Sequence, residues 1–379
     1  MLRPSRRTRN LANVALAYVL GLTIAVTGYW IFLPVFKDPL DEDTVFVYMG
    51  IRIGLEQGWN HLYSIDLQRH YYSLLAPGAP FNDLARYLHP PPLAWLLSPL
   101  TLLSAPQAFW TFMVIQCIAL IGAWYLIAPG SGWGLPRILY LLGAFAWYPV
   151  LYQLRTGQPV MLVVFAVAAS WKLADSGRPW LAGAVLALGV VKPQLTLLVA
   201  PCLLLAGYWR IALGWAITAG VLAAVSLAMI GSSGLHDYLA LLDFARQVVF
   251  NRYFTLAYIF GPGPAATIAE LAVAALTLFA AFRLRGAPPA RIIALGVVGS
   301  MLSIPYDHLH DFAILVPAAL LFLLIEPPLW QRAWLLVVWI SMELAWPISP
   351  LPLLLSQAVW LAMIALPAAP QRRDDPSMA

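Results

Sequence analysis

Residues 11–43 read LANVALAYVLGLTIAVTGYWIFLPVFKDPLDED, a long apolar run that ends at the three acids Asp41, Glu42 and Asp43. The run exceeds the roughly 20 residues that a helix needs to cross a bilayer. Arginines at positions 3, 6, 7 and 9 precede it, which favours a cytoplasmic N-terminus. The run is too long for the apolar core of a cleaved signal peptide. The stretch therefore predicts an uncleaved first membrane span.

The composition extends this prediction to the whole chain. The 379 residues are 61% apolar and 10% charged, with a mean hydropathy of +0.78. Soluble domains are about 25% charged. We therefore expect a polytopic membrane protein. The net charge of +5 comes from basic residues scattered along short loops, which does not indicate a nucleic-acid partner. Cys117 and Cys202 lie in apolar runs and are interpreted as core residues.

The remaining apolar runs predict the topology. If residues 90–128 cross once, most Lys and Arg fall on the side of the N-terminal arginines, and most acids and all six His fall on the other. This predicts an all-α integral-membrane bundle with about 12 transmembrane helices and both termini cytoplasmic. We expect a single domain over 1–379, with a cytoplasmic N-terminus at 1–10, an outer loop at 37–89 that carries interfacial helices, and a cytoplasmic tail at 371–379. The further runs lie near 90–104, 107–128, 137–151, 159–171, 180–191, 195–208, 211–230, 255–282, 291–304, 312–325, 331–346 and 351–368.

The acids at 41–43 have two interpretations. They can be an ordinary solvated loop, because acids are common in outward-facing loops. They can also supply a general base that takes a proton from an acceptor hydroxyl at the membrane surface. An amphipathic run, Phe46–Leu55, follows them and predicts a helix behind the acids.

Lys192 interrupts an apolar region in the sequence Val191-Lys192-Pro193-Gln194. Because the apolar halves on either side are short, we expect Lys192 at or below the outer interface, with Pro193 opening the backbone beside it. A lysine held there predicts an anion, for instance a lipid phosphate. The alternative is a lysine that snorkels to the headgroups.

The stretch 303–311, SIPYDHLHD, places two His and two acids between two spans. Such a cluster can be a metal site, a proton relay, a phosphate contact or a plain polar turn. No further His/Cys pair has zinc spacing, so a structural metal is not favoured. The chain contains no P-loop, GxSxG or HExxH sequence. With every polar cluster predicted outside, a cytosolic nucleotide-sugar donor is not expected.

Taken in order, these motifs resemble glycosyltransferase family 87, whose members are polyprenol-phosphate-mannose-dependent mannosyltransferases of the integral-membrane GT-C class. The similarity covers roughly 40–345, and four elements of the chain carry it. They are Asp43 with Tyr48, Arg52, Gly58 and Tyr63; Tyr87–Pro91 with His89; Gly157-Gln158 followed by Lys192-Pro193; and Ser303, Pro305, Tyr306, Asp307, His308 and Asp311.

The resemblance implies a GT-C-like bundle and an inverting transfer on the outer face of the cell membrane, without cofactor or metal. The partners would be a polyprenyl-phosphate sugar, mannose by default, and a glycolipid or glycan acceptor. Asp43 matches the catalytic acid, with Asp41 as the fallback, and His308 matches the motif histidine. Donor-phosphate contacts are expected from Lys192, Arg252 and His310. Substrate contacts are expected from Tyr48, His89, Gln158, Gln194, Tyr306 and Asp311.

Other classes stay open at this point. A lipid or glycan transporter would need ionisable residues inside the spans, where the apolar runs hold Glu270 and Glu343. A ligase that uses a lipid-diphosphate donor typically carries its large outer loop late in the chain, whereas here the first loop is the largest. A scaffold without enzymatic activity is the third alternative.

Overall fold

The protein is described by a computed structural model, which covers residues 6–40 and 43–366. The described residues form helices and loops and contain no β-strand. Asp41 and the predicted tail at 371–379 lie outside them. The α-helices are α1 Arg6–Lys37, α2 Thr44–Glu56, α3 Ile65–Leu75, α4 Pro91–Leu97, α5 Ala105–Ile127, α6 Leu135–Ala146, α7 Tyr148–Thr156, α8 Val160–Asp175, α9 Pro179–Leu186, α10 Val199–Leu205, α11 Trp209–Gln247, α12 Ala257–Phe260, α13 Pro264–Arg283, α14 Pro289–Ser303, α15 Leu315–Leu324, α16 Leu329–Ala345 and α17 Leu351–Ala365.

The all-α prediction is confirmed. Four of the described helices, α1, α5, α11 and α13, are long and apolar enough to cross a membrane. Six shorter apolar helical segments accompany them. The figure of about 12 spans stays a prediction, because these shorter segments do not reach spanning length on their own.

Several predicted runs are broken where the backbone leaves the helical conformation. The run 137–151 divides at Trp147 into α6 and α7, and Pro149 stands in the first turn of α7. The run 211–230 continues as α11 to Gln247, with a break at Gly231, whose φ of 62° is left-handed. Breaks of this kind are tolerated in membrane helices when neighbouring groups satisfy the freed backbone.

The predicted helix at 46–55 is present as α2, and its position is not that of a surface helix. The residues from Thr44 to Ile51 are all buried, whereas Asp43 just before them is half-buried. Phe46 stacks on Tyr72 of α3, with 5.7 Å between the ring centroids. These aromatic residues of the segment that follows α1 therefore pack against each other inside the protein.

The outside of the bundle is apolar. Large apolar side chains are exposed along α1, where Tyr18 is 74% and Trp30 is 66% exposed, and also along α5, α11 and α13. An exposed apolar surface of this extent marks a membrane-facing protein. A single large core of buried Val, Ile, Leu and Phe side chains lies between the helices.

Three short segments, one helical and two formed by 3₁₀ turns, come together beside this core. The first is the short helix α7, which ends at Thr156. The second is the pair of 3₁₀ turns Ala187–Val191 and Pro193–Thr196, which interrupt the helical path between α9 and α10. The third is the 3₁₀ helix Leu309–Ile314, which packs against α7 and α8. In a membrane protein, non-helical backbone is tolerated where it is buried in protein or lines a cavity.

Candidate active site

A cavity of about 840 Å³ opens at this junction. It brings together most of the residues that the sequence singled out, although they are far apart in the chain. Those that line it are Asp43, His89, Gln158, Lys192, Gln194, Tyr306, His308 and His310. Asp311 lies behind the wall in contact with Lys192.

Asp43 immediately precedes α2, where an acid ordinarily caps the helix by accepting backbone N–H bonds. Within the described part of the chain its side chain makes no such capping bond. Its Oδ2 instead accepts a hydrogen bond of 2.8 Å from Nε2 of Gln158. The carboxylate is therefore turned away from its own helix and toward the cavity.

The approach of Asp43 to Gln158 depends on Gly157. This glycine ends α7 with a left-handed φ of 66°, a conformation that glycine adopts without cost. A Cβ at this position would overlap Oγ1 of Thr44. The hydroxyl of Thr44 in turn donates to the carbonyl of Thr156 at 3.1 Å. This hydrogen bond holds the start of α2 against the end of α7, which brings Gln158 next to Asp43.

Lys192 lies between the two 3₁₀ turns, as the Lys-Pro sequence predicts, and it is only 4% exposed. Its Nζ donates to Oε1 of Gln158 at 3.1 Å and forms an ion pair with Oδ1 of Asp311. Gln158 therefore bridges the acid at 43 and the cation at 192. Snorkelling to the headgroups does not describe this lysine, because its ammonium group points into a buried ion pair.

The histidines form one wall of the cavity. The rings of His308 and His310 stack with 5.2 Å between their centroids, and Tyr306 shares a hydrogen bond of 3.1 Å with Nε2 of His308. Burial and the nearby Lys192 lower the pKa of His89 to about 3. Burial likewise lowers the pKa of His308. These imidazoles are therefore neutral at physiological pH and act as hydrogen-bonding groups.

Besides Asp311, two further predicted site residues lie outside the cavity. Tyr48 is buried on α2 and donates to the carbonyl of Leu103 at 2.8 Å. Arg252 donates to the carbonyl of Gln247 at 3.2 Å. Both positions indicate local structural roles.

The cavity also contains residues that the sequence did not predict as members of the site. Arg86, Arg155 and Arg246 line it, and Arg86 lies over the ring of Phe244 at 3.7 Å. Further aromatic side chains form the wall, namely Tyr148, Tyr152, Tyr238 and Trp346. Only the folded chain shows that these residues face the same space, because they come from four separate segments.

Among the residues that the structure describes, no group of three or more His, Cys, Asp or Glu side chains is arranged to hold a metal ion. Asp307 and Asp311 instead accept the backbone N–H of His308, the His308 ring bonds to Tyr306, and Asp311 pairs with Lys192.

A comparison with known protein families gives a match. The model for glycosyltransferase family 87 matches residues 87–305, which is more than half of the chain. The chain belongs to glycosyltransferase family 87. The matched segment of this family 87 protein includes His89, Gln158 and Lys192, and it ends before His308 and begins after Asp43. No curated protein matches the chain, and no solved structure matches it.

Family membership and the apolar helices together make the protein a membrane glycosyltransferase. Such an enzyme uses a sugar donor and an acceptor in the membrane.

Proposed function

We propose that this family 87 protein moves a sugar, mannose by default, from a polyprenyl-phosphate donor to a lipid-linked or glycan acceptor, with inversion and with Asp43 as the general base. The observation that carries the proposal is the bridge from Asp43 through Gln158 to Lys192. It places an acid and a cation at the floor of one cavity. Inverting transfer from a phosphate leaving group needs this pair of charges.

In the proposed reaction the acceptor hydroxyl oxygen attacks the anomeric carbon of the sugar. The bond from that carbon to the phosphate oxygen breaks, and the phosphate leaves with the bonding electron pair. Asp43 takes the proton of the acceptor hydroxyl. Gln158 holds the Asp43 carboxylate in place through its N–H group, so that the basic oxygen faces the cavity.

The departing phosphate needs positive charge and hydrogen-bond donors. An ammonium group has three N–H donors. Gln158 and Asp311 engage two directions around Lys192, which leaves one donor for the phosphate. Because Asp311 neutralises Lys192, further cationic charge is required, and Arg155 and Arg246 on the cavity wall provide it. These two arginines take the role that the sequence had suggested for Arg252.

The neutral histidines, Gln194 and Tyr306 would then bind the sugar hydroxyls or the phosphate oxygens. The cavity volume of about 840 Å³ lies within the range of small-ligand sites, about 300–1,000 Å³, and suffices for a sugar phosphate. Leu197, which lines the cavity and is also exposed, marks a side on which the polyprenyl tail can reach the lipid.

We further propose that the cavity faces the outside of the cell membrane and that both termini are cytoplasmic. The support is the charge asymmetry of the loops, since cytoplasmic loops carry an excess of Lys and Arg. A transporter is less well supported. Glu343, one of the two acids inside apolar runs, accepts the backbone N–H of Tyr148 at 3.0 Å at the break between α6 and α7, which is a structural role.

The proposal is tested by incubating the purified protein, in nanodiscs that contain extracted membrane glycolipids, with a radiolabelled polyprenyl-phosphate sugar. We expect labelled glycolipid in the presence of EDTA. Parallel reactions would use a nucleotide sugar and a polyprenyl-diphosphate sugar, and we expect no product from either. Transfer from the diphosphate donor alone would contradict the proposal and favour a ligase.

A further inference from the structure

Two aspartates lie side by side behind the cavity wall. Asp307 and Asp311 are each 0% exposed. The backbone N–H of His308 points at both, at 2.8 Å from Oδ1 of Asp307 and 3.2 Å from Oδ2 of Asp311. Their side chains are also within hydrogen-bonding reach of each other. Two carboxyl groups that converge on one N–H group cannot both be ionised without strong repulsion.

The available cations do not balance two negative charges. Lys192 pairs with Oδ1 of Asp311. Within the described part of the chain, Oδ2 of Asp307 is buried and no N–H or O–H group donates to it. A buried carboxylate oxygen without a donor is costly. A proton on Asp307 removes this cost, because the resulting O–H group can donate to Asp311.

We infer that Asp307 is protonated in the working protein, donates a hydrogen bond to Asp311, and thereby orients the Asp311 carboxylate that holds Lys192 at the cavity floor. Asp307 and Asp311 are positioning residues in this arrangement, since both lie behind the wall and act through Lys192. The inference rests on the proposed function, because Lys192 matters as a contact to the donor phosphate.

The surrounding groups agree with a single shared proton. The titratable groups that face the pair are Lys192, Tyr306, His308 and His310, with Asp43 acting on Tyr306 and His308 from the other side of the cavity. Burial and the neighbouring Asp311 raise the pKa of Asp307 well above its usual range. His308 carries no charge that could replace the proton, since burial lowers its pKa.

A protonated Asp307 makes the stability of the protein depend on pH. A carboxyl group whose pKa is higher in the folded protein than in the unfolded chain holds a proton that the unfolded chain loses at about pH 4. The free energy of unfolding therefore falls as the pH rises from about 4 through the folded pKa of Asp307. Asparagine at position 307 keeps an N–H donor toward Asp311 and cannot ionise. The Asp307→Asn substitution should therefore remove this loss of stability at higher pH.

The experiment compares Asp307→Asn with Asp311→Asn in the full-length protein in detergent. Thermal unfolding is followed from pH 5 to pH 9. We expect Asp307→Asn to raise the melting temperature by about 2 °C or more at neutral pH, with a gain that grows with pH. Asp311→Asn should lower it at every pH, because it leaves Lys192 buried without its counter-charge. Loss of stability in Asp307→Asn equal to that in Asp311→Asn would overturn the inference.

Sugar transfer gives a second readout. In Asp307→Asn the alkaline fall of kcat/KM should move to higher pH by one unit or more, because the ionisation that disturbs Lys192 is gone. An unchanged alkaline limb would overturn the inference. Absence of transfer by the unaltered protein would instead count against the proposed function, while the thermal measurement would still decide whether Asp307 carries the proton.

Discussion

Nε2 of Gln158 lies 2.8 Å from Oδ2 of Asp43, across 115 positions of sequence. The same amide accepts a hydrogen bond from Lys192 through Oε1. One side chain thus sets the relative position of the acid and the cation. The amide orientation follows from the partners, because Asp43 can only accept and Lys192 can only donate.

Gly157 allows this contact, and its substitution tests the contact without altering a polar group. Gly157→Ala should place a Cβ against Oγ1 of Thr44, separate α2 from α7 and reduce transfer by at least tenfold. The left-handed conformation alone costs alanine about 1–2 kcal/mol. Melting temperature and kcat/KM would be measured together.

Gly78→Ala is the matched control for Gly157→Ala. Gly78 also has a positive φ, 84°, and a Cβ there would meet nothing within 4 Å. We expect only the conformational cost in stability and nearly normal transfer. Equal losses of transfer in the two variants would show that the contact between Gly157 and Thr44 does not position Gln158.

Lys192→Met tests whether Lys192 binds the donor phosphate. The structure predicts a second effect of this substitution, on the stability of the fold. The sequence alone predicts lost donor binding and an intact fold. Because Lys192 is paired with the buried Asp311, removing it leaves an uncompensated charge, which costs about 3–5 kcal/mol. We therefore expect Lys192→Met to lower both the melting temperature and the affinity for the donor.

Adding Asp311→Asn to Lys192→Met separates the two effects. The double variant should recover most of the melting temperature and remain deficient in donor binding. Arg252→Met serves as the control, because this side chain donates to the carbonyl of Gln247 outside the cavity. Normal donor affinity in the double variant would exclude Lys192 as a phosphate contact.

The sidedness of the membrane is tested by labelling. Cysteine is introduced at Ala79, in the exposed loop that follows α3, or at Ser176, exposed at the end of α8. An impermeant thiol reagent applied to intact cells should modify Ala79→Cys and should not modify Ser176→Cys. Modification of both from outside would contradict the proposed topology.

The sequence predicted the class of the fold and singled out eight of the residues that line the cavity, for identifiable reasons. A membrane helix appears in the sequence as a long apolar run, and Lys192-Pro193 stands out because it interrupts such a run. The polar residues at 89, 158 and 306–310 likewise stand out at Pro/Gly-marked turns. The prediction of an all-helical membrane chain follows from these patterns alone.

The partners of these residues could not be predicted in the same way. The pairing of Lys192 with Asp311, and the bridge from Asp43 through Gln158 to Lys192, depend on how four distant segments pack. Arg155 and Arg246 look like ordinary loop charges in the sequence, whereas the fold directs them to the cavity. Tyr48 matched a motif by spacing, and its hydroxyl is used within the packing of α2.

The central claim is that Asp43 is the general base, and it is tested by transfer with Asp43→Asn. This substitution keeps the shape of the side chain and removes its basicity. Asp41→Asn, two residues away, is the matched control and should have a milder effect. Rates and donor affinities would be compared in one nanodisc preparation with the polyprenyl-phosphate sugar.

We expect Asp43→Asn to reduce the transfer rate by roughly two to four orders of magnitude, the usual contribution of a general base, with donor affinity preserved. Transfer by Asp43→Asn at a near-normal rate would contradict the account. If Asp41→Asn were then inactive, the base would be Asp41, and if both variants were active, the acids would be a solvated loop.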